Sequence, residues 1–102
     1  MTEVTLVRDG SPYTGYWYTV EATGHATGSV ELCAAVSTLV QTLDAWLTLR
    51  GSAVSERRIE PGDCRLRFSG HCCGVVWELM CVGFRGLEAT DPETVHVTIR
   101  KK

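Results

Sequence analysis

Between Val30 and Arg50, the residues Leu32, Val36, Leu39, Val40, Leu43 and Leu47 recur at intervals of three and four, while Ser37, Thr38, Gln41 and Thr48 fall away from that stripe. This spacing gathers side chains on one face of a helix and on no face of a strand, so it predicts an amphipathic helix starting at Ser29 or Val30. Gly51 follows directly, the residue that best accepts the left-handed conformation ending a helix. An apolar stripe of this length needs a second layer to cover it.

The flanking segments supply that layer. Val4–Val7 and Gly15–Ala22, with Tyr16, Tyr18 and Val20 alternating, read as two strands joined by a turn at Asp9-Gly10-Ser11-Pro12. A second hairpin follows, with Glu60-Pro61-Gly62-Asp63 placing Pro and Gly where a type II turn requires them. It joins Arg57–Ile59 to Cys64–Phe68. On the latter strand Cys64, Leu66 and Phe68 share one face, and Arg65 and Arg67 the other. His71–Leu87 predicts a second helix, apolar on nearly every side, which implies that it buries two faces; Gly74, Gly83 and Gly86 weaken its propensity. Val95, Val97 and Ile99 alternate with His96, Thr98 and Arg100 as a last strand. The expected fold class is therefore α+β, a two-layer, mostly antiparallel sheet with two helices packed on one face in ββαββαβ order. The surplus apolar area of the second helix suggests a homodimer through the helical layer.

The chain has 102 residues, 44% of them hydrophobic, enough for one core and too few for two, and it contains no repeat or linker, so residues 1–102 read as a single domain. A net charge of -2 gives no bulk attraction to nucleic acid or to an anionic membrane. The first residues lack a basic and apolar leader, and Cys72–Phe84 is interrupted by Glu78 and too short to span, so no membrane partner and a cytoplasmic location are expected. Five cysteines without regular spacing read as reduced thiols.

Cys33 stands eight residues after His25, across a glycine-containing loop. With Ser29 as the helix cap, Cys33 lies about four residues in, where the unpaired N–H groups and the positive end of the helix dipole favour a thiolate. On a helical wheel it borders the apolar stripe beside Val40 and Ser37. An imidazole able to fold back over that helix start supplies the base that a thiol nucleophile needs. Ser37, one turn on, and Glu31 are candidates for orientation or substrate binding. Tyr16, Trp17 and Tyr18 are candidate walls of a substrate groove.

Gly24-His25-Ala26 and Cys33-Ala34-Ala35-Val36-Ser37-Thr38-Leu39-Val40-Gln41-Thr42-Leu43 closely resemble the signature of the ribosomal-processing cysteine protease Prp family, the YsxB-like proteins, and the resemblance extends through Gly83–Leu87 and Val95–Ile99. It implies a dimeric bacterial cysteine endopeptidase that removes the N-terminal extension of large-subunit ribosomal protein twenty-seven, cutting after a Phe, or that acts on a related phage structural protein. The resemblance puts the nucleophile on Cys33 and the base on His25. Gly24 and Ser37 are then expected to bind substrate. The segment from His25 to Cys33 is shorter than in many members, and Val30, followed by Glu31, stands where an Asp often lies three residues before the cysteine.

Two other chemistries compete. Cys64, His71, Cys72, Cys73 and Cys81 are dense enough to suggest zinc, but no C-x-x-C pair occurs, so no metal or other cofactor is expected. Arg57, Arg58, Arg65, Arg67 and the Arg100-Lys101-Lys102 tail fit a non-catalytic ribosome- or RNA-associated binding domain. On the protease reading no direct nucleic acid contact is expected.

Overall fold

Five stretches of alternating apolar and polar residues and two of helical periodicity become β1 (Thr2–Ser11), β2 (Gly15–Thr23), α1 (Val30–Arg50), β3 (Ala53–Glu60), β4 (Asp63–Ser69), α2 (Cys73–Thr90) and β5 (Val95–Lys101). The computed structural model describes residues 1–24 and 30–102. The architecture is the α+β arrangement in ββαββαβ order that the pattern implied. One sheet runs in the order β3-β4-β2-β1-β5. Three of its pairings are antiparallel, and β5 joins β1 in parallel. The parallel closure is held at its ends by the Thr2 N–H donating to the Thr94 carbonyl and the Lys102 N–H donating to that of Arg8, both at 2.8 Å.

Alternation decides which side chains face the helices. Val4 and Leu6 of β1, Tyr18, Val20 and Ala22 of β2, Leu66 and Phe68 of β4, and Val95 and Val97 of β5 are buried beneath Leu32, Val36, Val40, Leu43 and Leu47 of α1 and Trp77, Met80 and Phe84 of α2. Each buried Val, Leu, Phe or Met among them contributes about 1.5–3 kcal/mol by leaving water. Trp77, 1% exposed, also donates its indole N–H to the Thr19 carbonyl at 3.2 Å, tying α2 to the middle of the sheet. Leu39 leans from α1 onto Gly83 of α2, where a Cβ would already touch its methyls at 3.4 Å; the glycine that weakens helix propensity is the one that lets the helices approach. α1 is long and apolar enough, by length and composition alone, to cross a bilayer. Here its apolar stripe covers the sheet, and Ser37, Thr38, Gln41, Thr42 and Thr48 face water.

Several boundaries differ from expectation. The first turn lies at Pro12–Thr14 rather than Asp9–Pro12, because the Ser11 hydroxyl accepts the N–H groups of Tyr13 (3.2 Å) and Thr14 (3.1 Å), letting β1 run on to Ser11. α2 begins at Cys73, not His71: Gly70 and Cys72 take positive φ angles (136° and 65°) that helical hydrogen bonding cannot include. It continues to Thr90, and the Asp91 N–H closes its last turn on the Leu87 carbonyl ahead of Pro92. Within the single chain, α2 divides its apolar residues between two sides. One face enters the core, while Val75 (70% exposed), Leu79 (63%) and Val82 (70%) stand on the outside.

Candidate active site

Cys33 occupies the first turn of α1 and is half-buried. Its surroundings follow from the sheet order. α1 crosses β3 and β4, so its first half faces the tip of the β3–β4 hairpin, and a cleft of about 250 Å³ opens between them. Cys33, Ser37, Val40 and Gln41 form the helical wall, and Ile59, Glu60, Pro61, Gly62 and Cys64 the hairpin wall. A smaller recess of about 40 Å³ shares Cys33, Ser37, Glu60, Gly62 and Cys64 and adds Thr2, Ala22, Gly24, Val36 and Asp63.

The hairpin tip is built as its sequence demanded. Gly62 has φ 72°, the left-handed value that the third residue of a type II turn takes, after Pro61. The Gly62 carbonyl accepts the N–H of Gly24 at 2.8 Å, joining the tip to the end of β2. Gly24 itself has φ 86°, and an added Cβ would collide with the Met1 carbonyl. Three of the four singled-out site residues, Gly24, Cys33 and Ser37, thus border one hollow. The fourth, His25, lies outside the described residues, as does the proposed cap Ser29. Glu31 is exposed and lines neither recess.

Cys64 had no place in the expected site, yet it faces the same hollow as Cys33. Its Sγ donates to the Glu60 carbonyl at 3.5 Å, and burial pushes its thiol above the ordinary cysteine range. Nothing in the local pattern marks it, because its partner wall lies some thirty residues away in sequence and only the sheet order brings the two together. The remaining thiols are scattered. Cys73 is fully buried and donates to the Ser52 hydroxyl at 3.7 Å, Cys72 is exposed, and Cys81 is pushed up to about 11 by burial. Among the described residues no three His, Cys, Asp or Glu side chains could share a metal ion.

The aromatic walls expected from Tyr16, Trp17 and Tyr18 are not there. Tyr18 stacks on Phe68 (5.9 Å between centroids) and tilts against Trp77 (5.8 Å) in the core, Tyr16 packs beside it, and Trp17 lies on the open sheet face under the Arg67 guanidinium. β2 runs toward the cleft, so the aromatics near its start lie at the opposite end of the strand from Gly24.

Four of the arginines that suggested an RNA surface are paired with carboxylates. Arg65 reaches Glu21 (2.8 Å) and Glu56 (2.5 Å), and Arg67 donates to both Asp9 oxygens (2.9 and 3.2 Å). Arg58 meets Asp63 at 2.9 Å, and Arg57 turns to the helical side to meet Asp44 of α1 at 2.5 Å. A phosphate backbone would have to displace these carboxylates.

No family model matches the sequence, and no curated protein does. Solved structures do match. Over the whole of this chain and 99% of the other, it superposes with a TM-score of 0.73 and 26% identity on SMU.848 from Streptococcus mutans. Over 97% of this chain and 99% of the other, it superposes with a TM-score of 0.75 and 16% identity on the essential ribosomal processing protease Prp from S. aureus, solved in complex with a covalently linked product peptide. A hypothetical protein from Staphylococcus aureus matches over the same shares with a TM-score of 0.62 and 14% identity. The chain has the fold of the ribosomal processing protease whose signature its Gly24–Ala26 and Cys33–Leu43 segments resemble.

Proposed function

We propose that this protein is a cysteine endopeptidase in which Cys33 is the nucleophile and His25 the base, and that it removes the N-terminal extension of large-subunit ribosomal protein twenty-seven or trims a related phage structural protein. The observation that carries the reading is the position of Cys33: half-buried in the first turn of α1, facing a peptide-sized cleft, in the fold of a processing protease. In the sequence His25 directly follows Gly24, which borders the Cys33 recess. The product peptide held covalently by the S. aureus protease agrees with chemistry through an enzyme-bound nucleophile.

In the reaction, His25 takes the Cys33 thiol proton as the sulfur attacks the scissile carbonyl carbon. The C–N bond breaks, and protonated His25 gives its proton to the departing amine, leaving a thioester. Water then attacks the thioester, its proton passing to His25, and the acid leaves as the Cys33 thiol reforms. In this reading, backbone N–H groups at the start of α1 donate to the oxyanion. Ser37 and Gly24 line the space that the flanking residues of the substrate enter.

The exposed Val75, Leu79 and Val82, at i, i+4 and i+7 on the outside of α2, suit a second copy of the chain, and a homodimer belongs to this proposal. So does a reducing cytoplasm, which the five free thiols fit. Incubating the precursor of ribosomal protein twenty-seven with wild type, Cys33→Ala and His25→Ala tests the reading by mass spectrometry. Cleavage by wild type alone supports it; turnover by either variant at the wild-type rate refutes the dyad.

A further inference from the structure

β3 is the last strand on its side of the sheet, and no strand among the described residues lies beyond it. Its pairing with β4 closes on Glu60 and Asp63 around the two-residue Pro61-Gly62 turn. The residues flanking such a turn exchange hydrogen bonds with each other, so by alternation Arg58 and Glu56 also bond inward to β4. The N–H and C=O groups of Arg57 and Ile59 therefore point outward along the free edge. A β-bulge between Val54 and Glu56 interrupts the register further up, which confines a regular edge to Glu56–Glu60. That half of the strand runs into the cleft, because Ile59 and Glu60 are part of its wall. The charged side chains of the edge are directed onto the two faces, Arg57 to Asp44, Arg58 to Asp63 and Glu56 to Arg65, rather than across it. The opposite wall presents Cys33, Ser37 and Gln41 on successive turns of α1.

We infer that the substrate is held as an added sixth strand, an extended segment of about five residues whose backbone pairs with the outward groups of Arg57 and Ile59 and so delivers the scissile bond to the Cys33 end of the cleft. The inference rests on the cysteine protease reading and specifies how that site selects its substrate: unfolded, extended chain is accepted and helical or turn-forming segments are refused. Residues beside β3 then contribute mainly through their backbone, and alternate side chains point either to the cleft or to water.

A scan of backbone N-methylation through a peptide spanning the cleavage site of the ribosomal precursor tests it, with a short activated ester of the residue before the scissile bond as a control too small to reach β3. The expected result is a period of two: methylation at alternate positions lowers kcat/KM roughly tenfold or more, and the positions between change it less than about threefold. Arg57→Pro, which removes an outward N–H that the β3–β4 ladder does not use at a position off the cleft wall, is expected to slow the peptide by a similar factor, while Arg57→Ala, which loses the same side chain but keeps the N–H, does not reproduce that loss. Methylation effects without alternation, or equal peptide loss in Arg57→Pro and Arg57→Ala, overturn the inference and leave the dyad standing. A wild-type protein that hydrolyses neither substrate removes both.

Discussion

The N–H of Gly24 donates to the carbonyl of Gly62 across 2.8 Å, and this one backbone bond joins the residue before His25 to the hairpin tip that walls the cleft opposite Cys33. Both residues take left-handed φ values, 86° and 72°. Gly24→Ala is expected to be costlier than Gly51→Ala, since it adds a collision with the Met1 carbonyl to the about 1–2 kcal/mol of left-handed strain that Gly51→Ala, at φ 65° with open space around it, also meets. Urea unfolding of the two variants measures the difference. Equal stabilities would mean that the approach to Met1 relaxes freely.

The thiols should separate by reactivity. Cys72 is exposed at the entry to α2, whereas Cys73 is fully buried beside the Ser52 hydroxyl and Cys81 titrates only at about 11 because burial disfavours its thiolate. Timed alkylation with iodoacetamide at neutral pH, read by peptide mass spectrometry, is expected to modify Cys72 early and Cys73 and Cys81 only as the fold opens. Early labelling of Cys73 would contradict the packing of α2 on the sheet.

Stability should fall in acid through two carboxylates. Glu88 accepts the Val97 N–H at 2.7 Å and pairs with Arg85, and Asp9 is held by the Arg67 guanidinium, so both titrate below their ordinary values of 4.5 and 3.8. A carboxylate depressed in the folded state binds protons more readily when unfolded. Its contribution is complete above the ordinary value and disappears as the pH drops through the folded one. Thermal unfolding followed from about pH 6 to about pH 3 is expected to show Tm falling below pH 4.5, with a shallower fall in Glu88→Gln. An unchanged slope in that variant would place the acid sensitivity elsewhere.

The outer stripe of α2 gives a test of assembly. Leu79→Glu puts a charge in the centre of the Val75, Leu79, Val82 face without touching the core that Trp77, Met80 and Phe84 occupy. Sedimentation is expected to show a dimer in wild type and a monomer in the variant, with far-UV circular dichroism unchanged. A wild type that sediments as a monomer at all concentrations removes the dimer.

The span of α1, the Pro61-Gly62 turn and the alternation in β2, β4 and β5 were legible in the bare chain, because each depends on residues near one another in sequence whose periodicity matches a helix or a pleat. Cys33 and Ser37 shared a helix face for the same reason. Tertiary structure alone decided that the hairpin tip and Cys64 stand across from Cys33, that β5 closes on β1 in parallel, and that Tyr16 and Tyr18 pack with the core and Trp17 against Arg67 rather than in the cleft. It also decided that Arg57, Arg58, Arg65 and Arg67 meet carboxylates rather than an open surface. The cleft has no local signature because its walls come from segments whose proximity is set by burying one shared core, and burial depends on the whole strand order rather than on any one stretch of sequence.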